Sequence, residues 1–185
     1  MERWFRCTVC YQVFSCEEQE DNVMGCEVCP QCGISDRIAA LLKENNINCL
    51  WHLTHINNIT EILQYGILNH YDAHARKADL IDISDSEAQK WRERRDPYYN
   101  RRVHDYAPLY INPRNPMLYV RNHLQNYLCL IEVSFSVLVE GNYLLADGNA
   151  ASRDTLFFNS INSIPSLPCN VLNAHYWTDF PDGKR

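Results

Sequence analysis

The sequence predicts an α+β domain of roughly 150 residues behind a four-cysteine zinc ribbon. Three observations carry this. Two Cys-x-x-Cys pairs lie within the first 32 residues. The remainder interleaves short strand and helix patterns, without regular βαβ repeats and without a glycine-rich nucleotide loop. An apolar fraction of 46% beside 22% charged residues is enough to fill one core and excludes wholesale disorder.

The ribbon comes first, over 1–34. Cys7 and Cys10 form one pair, Cys29 and Cys32 the other, and 18 residues separate them. Each pair can set two thiolates on one metal from a tight turn, and two such turns complete a tetrahedral site. In Cys29-Pro-Gln-Cys32-Gly33 the proline fixes the entry to the turn. The glycine lets the following backbone fold towards the sulfurs. Cys26 competes as a partner for Cys29, and Cys16 is spare. Four thiolates leave no position for water, so the expected zinc is structural. Clustered cysteines point to a cytosolic chain. The opening MERWFRCTVCYQVF, broken by Glu2, Arg6 and its cysteines, is not a signal peptide. No apolar run approaches the ~18 residues needed to cross a bilayer. Cys49, Cys129 and Cys169 read as buried thiols.

A linking helix is expected over 35–48, capped by Ser35 or Asp36, with Ile38, Leu41 and Leu42 on one face and Asn45-Asn46 at its end. The domain proper is expected over 49–185. Residues 49–56 read as a strand, with Leu50, His52 and Thr54 opposite Trp51, Leu53 and His55. A helix follows, capped by Asn58 or Thr60, striped by Ile59, Ile62 and Leu63, and stopped by Gly66. Residues 69–83 read as irregular. Ser84 or Ser86 opens a helix through EAQKWRERR that Asp96-Pro97 closes. APLYI reads as a strand, NPRNPM as a turn, and 128–138 as the clearest strand, alternating Ile131, Val133, Phe135 and Val137 with Glu132, Ser134 and Ser136. NYLLA reads as a further strand, DGNAAS as a loop, and DTLFFNSI and VLNAHYW as short helices.

The net charge of −6 argues against indiscriminate nucleic-acid binding, but the charge is uneven. Residues 87–125 carry eight Lys/Arg (Lys90, Arg92, Arg94, Arg95, Arg101, Arg102, Arg114 and Arg121) against four acids. That segment reads as a basic face or, equally, as a solvated helix and loop.

Several motifs remain: His52-Leu53-Thr54-His55, the Arg92–Arg95 cluster, His104-Asp105-Tyr106, Asn112-Pro113-Arg114-Asn115-Pro116 and the loop from Asp147 to Ser152. Each alone has a plain structural reading. Together, WHLTHINNITEILQYGIL, IDISDSEAQKWR, VHDYAPLYINPRNPMLY and LADGNAASRDTLFFNSI resemble the DarT family of toxins. These ADP-ribosylate bases in single-stranded DNA and are paired with macrodomain antitoxins. The resemblance covers residues 50–185, with the ribbon and its helix as an N-terminal addition.

The resemblance implies an ADP-ribosyltransferase-like mixed sheet with flanking helices and NAD as substrate. It implies NAD contacts from His52, Leu53, Thr54, Asn69 and Tyr110, with Tyr110 as the middle member of the transferase triad. It implies Arg92 as the catalytic arginine, with Arg95 as second choice. It implies DNA contacts from Arg95, Asn149, Ser152, Arg153 and Thr155. The family's transferase glutamate lies on a strand shortly after the point where this sequence stops, at Asp182-Gly183-Lys184-Arg185, and Glu132 lies well upstream of it. The expectation is therefore a domain incomplete at its C-terminal strands. Its function is either NAD-dependent DNA ADP-ribosylation or, alternatively, catalytically dead, zinc-containing nucleic-acid binding on the same fold.

Overall fold

The computed structural model of the chain describes residues 3–6, 13–16, 30–76, 79–138 and 142–176. Its strands form three two-stranded antiparallel ladders. β1 (Arg3–Arg6) pairs with β2 (Val13–Cys16), β3 (Leu50–His55) with β4 (Leu128–Val133), and β5 (Leu145–Ala146) with β6 (Phe157–Phe158). Around them run α1 (Pro30–Glu44), α2 (Ile59–Tyr65), α3 (His70–Arg76), α4 (Ser86–Arg92), α5 (Pro116–Val120) and α6 (Cys169–Leu172). Of the expected zinc ligands, Cys7, Cys10 and Cys29 lie outside the described residues, and only the backbone of Cys32 is described, in the first turn of α1. The β1–β2 ladder ends on the Arg6–Val13 pair, and Cys7 and Cys10 lie between these two residues in the sequence. Among the described residues no helix is long and apolar enough to cross a membrane.

α1 begins at Pro30 rather than at Ser35, with proline in the first helical position, where its missing N–H costs nothing. Its end falls where the asparagine pair predicts. Asn46 adopts φ 59°, the Asn46 N–H donates to Lys43 O at 2.9 Å and the Ile47 N–H to Leu42 O at 2.8 Å. These two bonds form a Schellman cap. The cap turns Ile47 back onto Leu42, and both are almost fully buried. The helix expected to link therefore also builds the core: Ile38, Leu42, Ile47 and Leu50 pack with Leu138, Ile164 and Leu167.

Other elements depart from expectation for identifiable reasons. Residues 70–76, expected to be irregular, are helical, because Asn69 caps them: the Asp72 N–H donates to Asn69 Oδ1 at 3.0 Å, and Asn69 Nδ2 donates back to Asp72 Oδ2 at 2.7 Å. α4 is capped by Asp85, which accepts from the Glu87 and Ala88 N–H groups, and it ends at Arg92, before the Arg94-Arg95 pair. The APLYI strand reduces to one bridge, Trp51 to Tyr110. The strand expected over 128–138 stops at Val133, and Phe135–Leu138 turns as a 3-10 helix. That turn buries Leu138 and leaves Val137 exposed, which breaks the alternation. Leu63, placed in a buried stripe, is 83% exposed. DTLFFNSI contributes β6 and a 3-10 turn, Ile161–Ser166, in place of a helix. Cys49, Cys129 and Cys169 are free thiols but only half-buried.

Ile164 is 0% exposed at the centre of this core. Ile164→Ala is expected to lower unfolding stability by about 2–5 kcal/mol, read from urea denaturation with an unchanged slope. A loss below about 1 kcal/mol would place Ile164 outside the core.

Candidate active site

β3 is held on both edges. On one side it pairs with β4, setting His52 opposite Ile131. On the other, the Trp51 N–H donates to Tyr110 O at 2.8 Å and the Tyr110 N–H to Trp51 O at 2.7 Å. This double attachment brings the 104–112 segment alongside His52. The His52 Nδ1–H donates to the Pro108 carbonyl at 2.9 Å, since a carbonyl can only accept. Burial lowers the His52 pKa and outweighs the Pro108 carbonyl, which favours the charged ring. The imidazole is thus neutral at pH 7, with Nε2 as an acceptor.

Thr54, buried beside it, accepts from Asn58 Nδ2 at 3.3 Å. Asn58 also holds Ile81 through both its backbone groups, donating to the carbonyl at 3.0 Å and accepting from the N–H at 3.3 Å. Arg121 secures the same segment further on, donating to Ile83 O at 2.7 Å and Ser84 O at 2.6 Å.

His52, Leu53, Thr54, Asn69, Arg92 and Tyr110 line one cavity of about 150 Å³. Arg92 and Tyr110 also line a larger one, of about 600 Å³, together with Gly148, Asn149, Ala150 and Ala151. Burial pushes the Tyr110 hydroxyl pKa up, and the charge of Arg92 and its hydrogen bond to the tyrosine act against this. Arg92 Nε is buried without a partner. Arg92 closes α4, which His104 anchors: His104 is 3% exposed and its Nε2–H donates to Gln89 O at 3.0 Å, within the last turn before Arg92.

The basic cluster divides by role. Arg94 spans from the end of α4 to the 147–156 loop, donating to the carbonyls of Arg153 at 3.0 Å and of Ala150 and Thr155 at 3.4 Å. Its guanidinium lies 4.6 Å from the centre of the Phe157 ring. Arg95 is exposed and donates to the Asn100 carbonyl. Asn149 Oδ1 accepts from the Ala151 N–H at 3.0 Å. Buried Thr155 donates its hydroxyl to Asn149 O at 2.6 Å, closing the loop on itself. Ser152 is half-buried and Arg153 exposed. Of the five expected DNA contacts, Asn149 lines the larger cavity, and Arg95, Ser152, Arg153 and Thr155 line neither.

Asp96 organises the tyrosine-rich turn between α4 and the HDY motif. It accepts from the N–H groups of Tyr98, Tyr99 and Arg101 and from the Tyr106 hydroxyl, all at 2.7–2.9 Å. Burial alone would raise its pKa, but these donors outweigh it and hold the carboxylate below the ordinary range. Sequence reasoning missed the bracing roles of Arg94, Asp96 and Arg121. The signal for Asp96 was present, as an aspartate opening a turn. For the two arginines there was none, since their partners are distant backbone carbonyls.

Set beside solved structures, the fold that carries this histidine, the arginine–tyrosine pair and the braced loop is an ADP-ribosyltransferase-like one. The structure described as Thermus sp. 2.9 DarT in complex with ADP-ribosylated ssDNA superposes with a TM-score of 0.64 at 25% identity, covering 74% of this chain and 70% of that one. The model of the family described as "ssDNA thymidine ADP-ribosyltransferase, DarT" matches residues 51–185, and the chain belongs to this family. A DNA ADP-ribosyl transferase–DNA ADP-ribosyl glycohydrolase fusion protein of Thermosipho africanus is 31% identical over 141 residues, which is 74% of this chain and 36% of that protein. A DNA ADP-ribosyl transferase of Thermus aquaticus is 26% identical over 146 residues, 74% of this chain and 65% of that protein. The chain thus spans about a third and just under two thirds of these two curated relatives.

Arg94→Ala removes three donors from the 147–156 loop. At ~0.5–1.5 kcal/mol for each bond, about 1.5–4.5 kcal/mol together, amide hydrogen exchange in that loop should rise about ten- to a thousandfold while β3 and β4 keep their protection. Unchanged exchange in the loop would show that Arg94 does not hold it.

Proposed function

We propose that the chain transfers ADP-ribose from NAD to a base in single-stranded DNA, thymidine by its family's description. The observation that supports this most is the placement of Arg92 and Tyr110 in the lining of both cavities. One cavity carries the residues expected to hold NAD, and the other carries Asn149 of the loop expected to present DNA. A bond transfer between two substrates needs such a shared boundary.

In this reading His52 offers a neutral Nε2 to a ribose hydroxyl, with Thr54 beside it. The dinucleotide exceeds 150 Å³ and extends past Arg92. The unpartnered Arg92 Nε supplies a donor for the diphosphate or for the base as its charge changes. The glycosidic bond between nicotinamide and C1′ breaks, nicotinamide leaves with the electron pair, and the base bonds to C1′ and releases its proton. Exposed Tyr98 suits base stacking, and exposed Arg95, Arg101 and Arg153 suit the DNA backbone.

A macrodomain antitoxin that removes the modification is the proposed protein partner. The Thermosipho relative, whose name joins transferase and glycohydrolase in one chain, supports that pairing. Cys7, Cys10, Cys29 and Cys32 are proposed to hold one structural zinc, with the first pair lying between β1 and β2 in the sequence.

Incubation of the purified chain with NAD and a mixed-sequence single-stranded oligonucleotide should add one ADP-ribosyl unit by intact mass, and Arg92→Ala should reduce the rate at least a hundredfold. No mass gain, with the oligonucleotide still bound, would favour the binding-module alternative. NAD affinity should be flat around neutrality and fall in acid. Because the His52 pKa lies below the ordinary 6.5, the fall begins lower than for a free imidazole. His52→Ala should weaken binding and abolish this acid limb, measured by calorimetry across pH. Elemental analysis should find one zinc per chain, lost in Cys7→Ser/Cys10→Ser; zinc retained by that variant would overturn the assignment.

A further inference from the structure

A second constellation lies on the wall of the smaller cavity. His70 and His74 stand four residues apart on α3, so one helix face projects both rings. Asp82 arrives from the segment before α4. The candidate ligand atoms of the three lie within 4.8 Å of one another, and His74 Nε2 and Asp82 Oδ2 are 3.2 Å apart. We propose that His70, His74 and Asp82 form a binding site for a divalent transition-metal ion of the zinc class. The site rests on these side chains alone and does not depend on the nucleotide assignment.

The donor chemistry selects the ion. Two imidazoles and one carboxylate suit zinc, cobalt or nickel, whereas magnesium and calcium favour oxygen donors. Around a tetrahedral ion with bonds of ~2.0–2.1 Å, neighbouring donor atoms sit about 3.3 Å apart. His74 and Asp82 already have that spacing, and the His70 donor atom, within 4.8 Å of both, closes the third side by an approach of about 1.5 Å or less. The His74 and Asp82 side chains are 42% and 36% exposed, so an ion can enter.

The carboxylate is oriented in advance. Asp82 Oδ1 accepts from the Ser84 N–H at 2.8 Å, which leaves Oδ2 towards His74. Asn58 fixes Ile81 on one side of Asp82, and Arg121 fixes Ile83 and Ser84 on the other. Such outer contacts are what orient metal-binding carboxylates. A plain His74–Asp82 ion pair accounts for two of the residues but not for His70, whose ring centre lies 4.5 Å from those of both His74 and His104. Arg92 acts electrostatically on His70 and opposes a dication there, which sets an affinity well short of that of a Cys₄ site. Three protein ligands leave a fourth position open to water or another oxygen ligand.

The test uses the full chain, first loaded with one equivalent of zinc to fill the cysteine site and then titrated with Co²⁺. The expected result is a second metal with visible ligand-field bands and no near-ultraviolet thiolate charge transfer. His70→Ala, His74→Ala and Asp82→Asn should each weaken its binding by more than the roughly 10–100-fold typical of losing an outer-shell partner, with far-ultraviolet circular dichroism unchanged. Absence of cobalt uptake by the zinc-loaded wild type, or uptake by folded His70→Ala/His74→Ala equal to wild type, would overturn the site.

Discussion

The attachment of β3 on both of its edges is the constraint from which the site follows. Pairing with β4 fixes the register of His52 and Thr54, and the Trp51–Tyr110 bridge draws in the loop that carries Pro108 and Tyr110. A slip of one residue would exchange the two faces of the strand and carry His52 away from the Pro108 carbonyl that sets its tautomer. The strand is short, so this fixation comes from partners on either side. Its burial pattern agrees, since apolar and polar residues are covered alike on both faces.

A set of polar side chains then ties irregular backbone to this frame. His104 holds α4 through Gln89, Arg94 holds the 147–156 loop, Asp96 gathers four donors, and Asn112 donates to the carbonyls of Leu172 and Ala174 at 3.0 and 3.1 Å. Most of these bonds join a side chain to distant backbone. They do for loops what ladders do for strands, satisfying carbonyls and amides that would otherwise be left unpaired. A fold with so little regular sheet relies on such ties, and the same ties place Arg92 between the two cavities. The NPRNP motif belongs here too: Asn115 caps α5 through the Leu118 N–H and Pro116 opens the helix, so its phrasing is explained by backbone geometry.

Features governed by near neighbours were readable in the residues. The end of α1 followed from Asn45-Asn46, the stop of α2 from Gly66 at φ 81°, and the approximate start of α4 from Ser84 and Ser86, although Asp85 between them proved to be the cap. Among the site residues, His52, Leu53, Thr54, Asn69, Arg92 and Tyr110 were named from the family resemblance, and the fold brings all six to one cavity. The ends of elements were less legible. Val133 ends β4 although the alternation continues through Phe135, because the core takes Leu138 in place of Val137.

Local signals in the chain therefore fixed caps, stops, strand seeds and the chemical types available to the site, since each depends on residues within a turn of one another. Only the folded chain decided that α1 belongs to the same core as Ile164, that Arg94 and Arg121 serve as braces, and that His70, His74 and Asp82 meet. Those outcomes depend on carbonyls, cavities and side chains that are distant in sequence. No periodicity or spacing encodes such encounters; they arise when β3 is closed on both edges and the loops are drawn in around it.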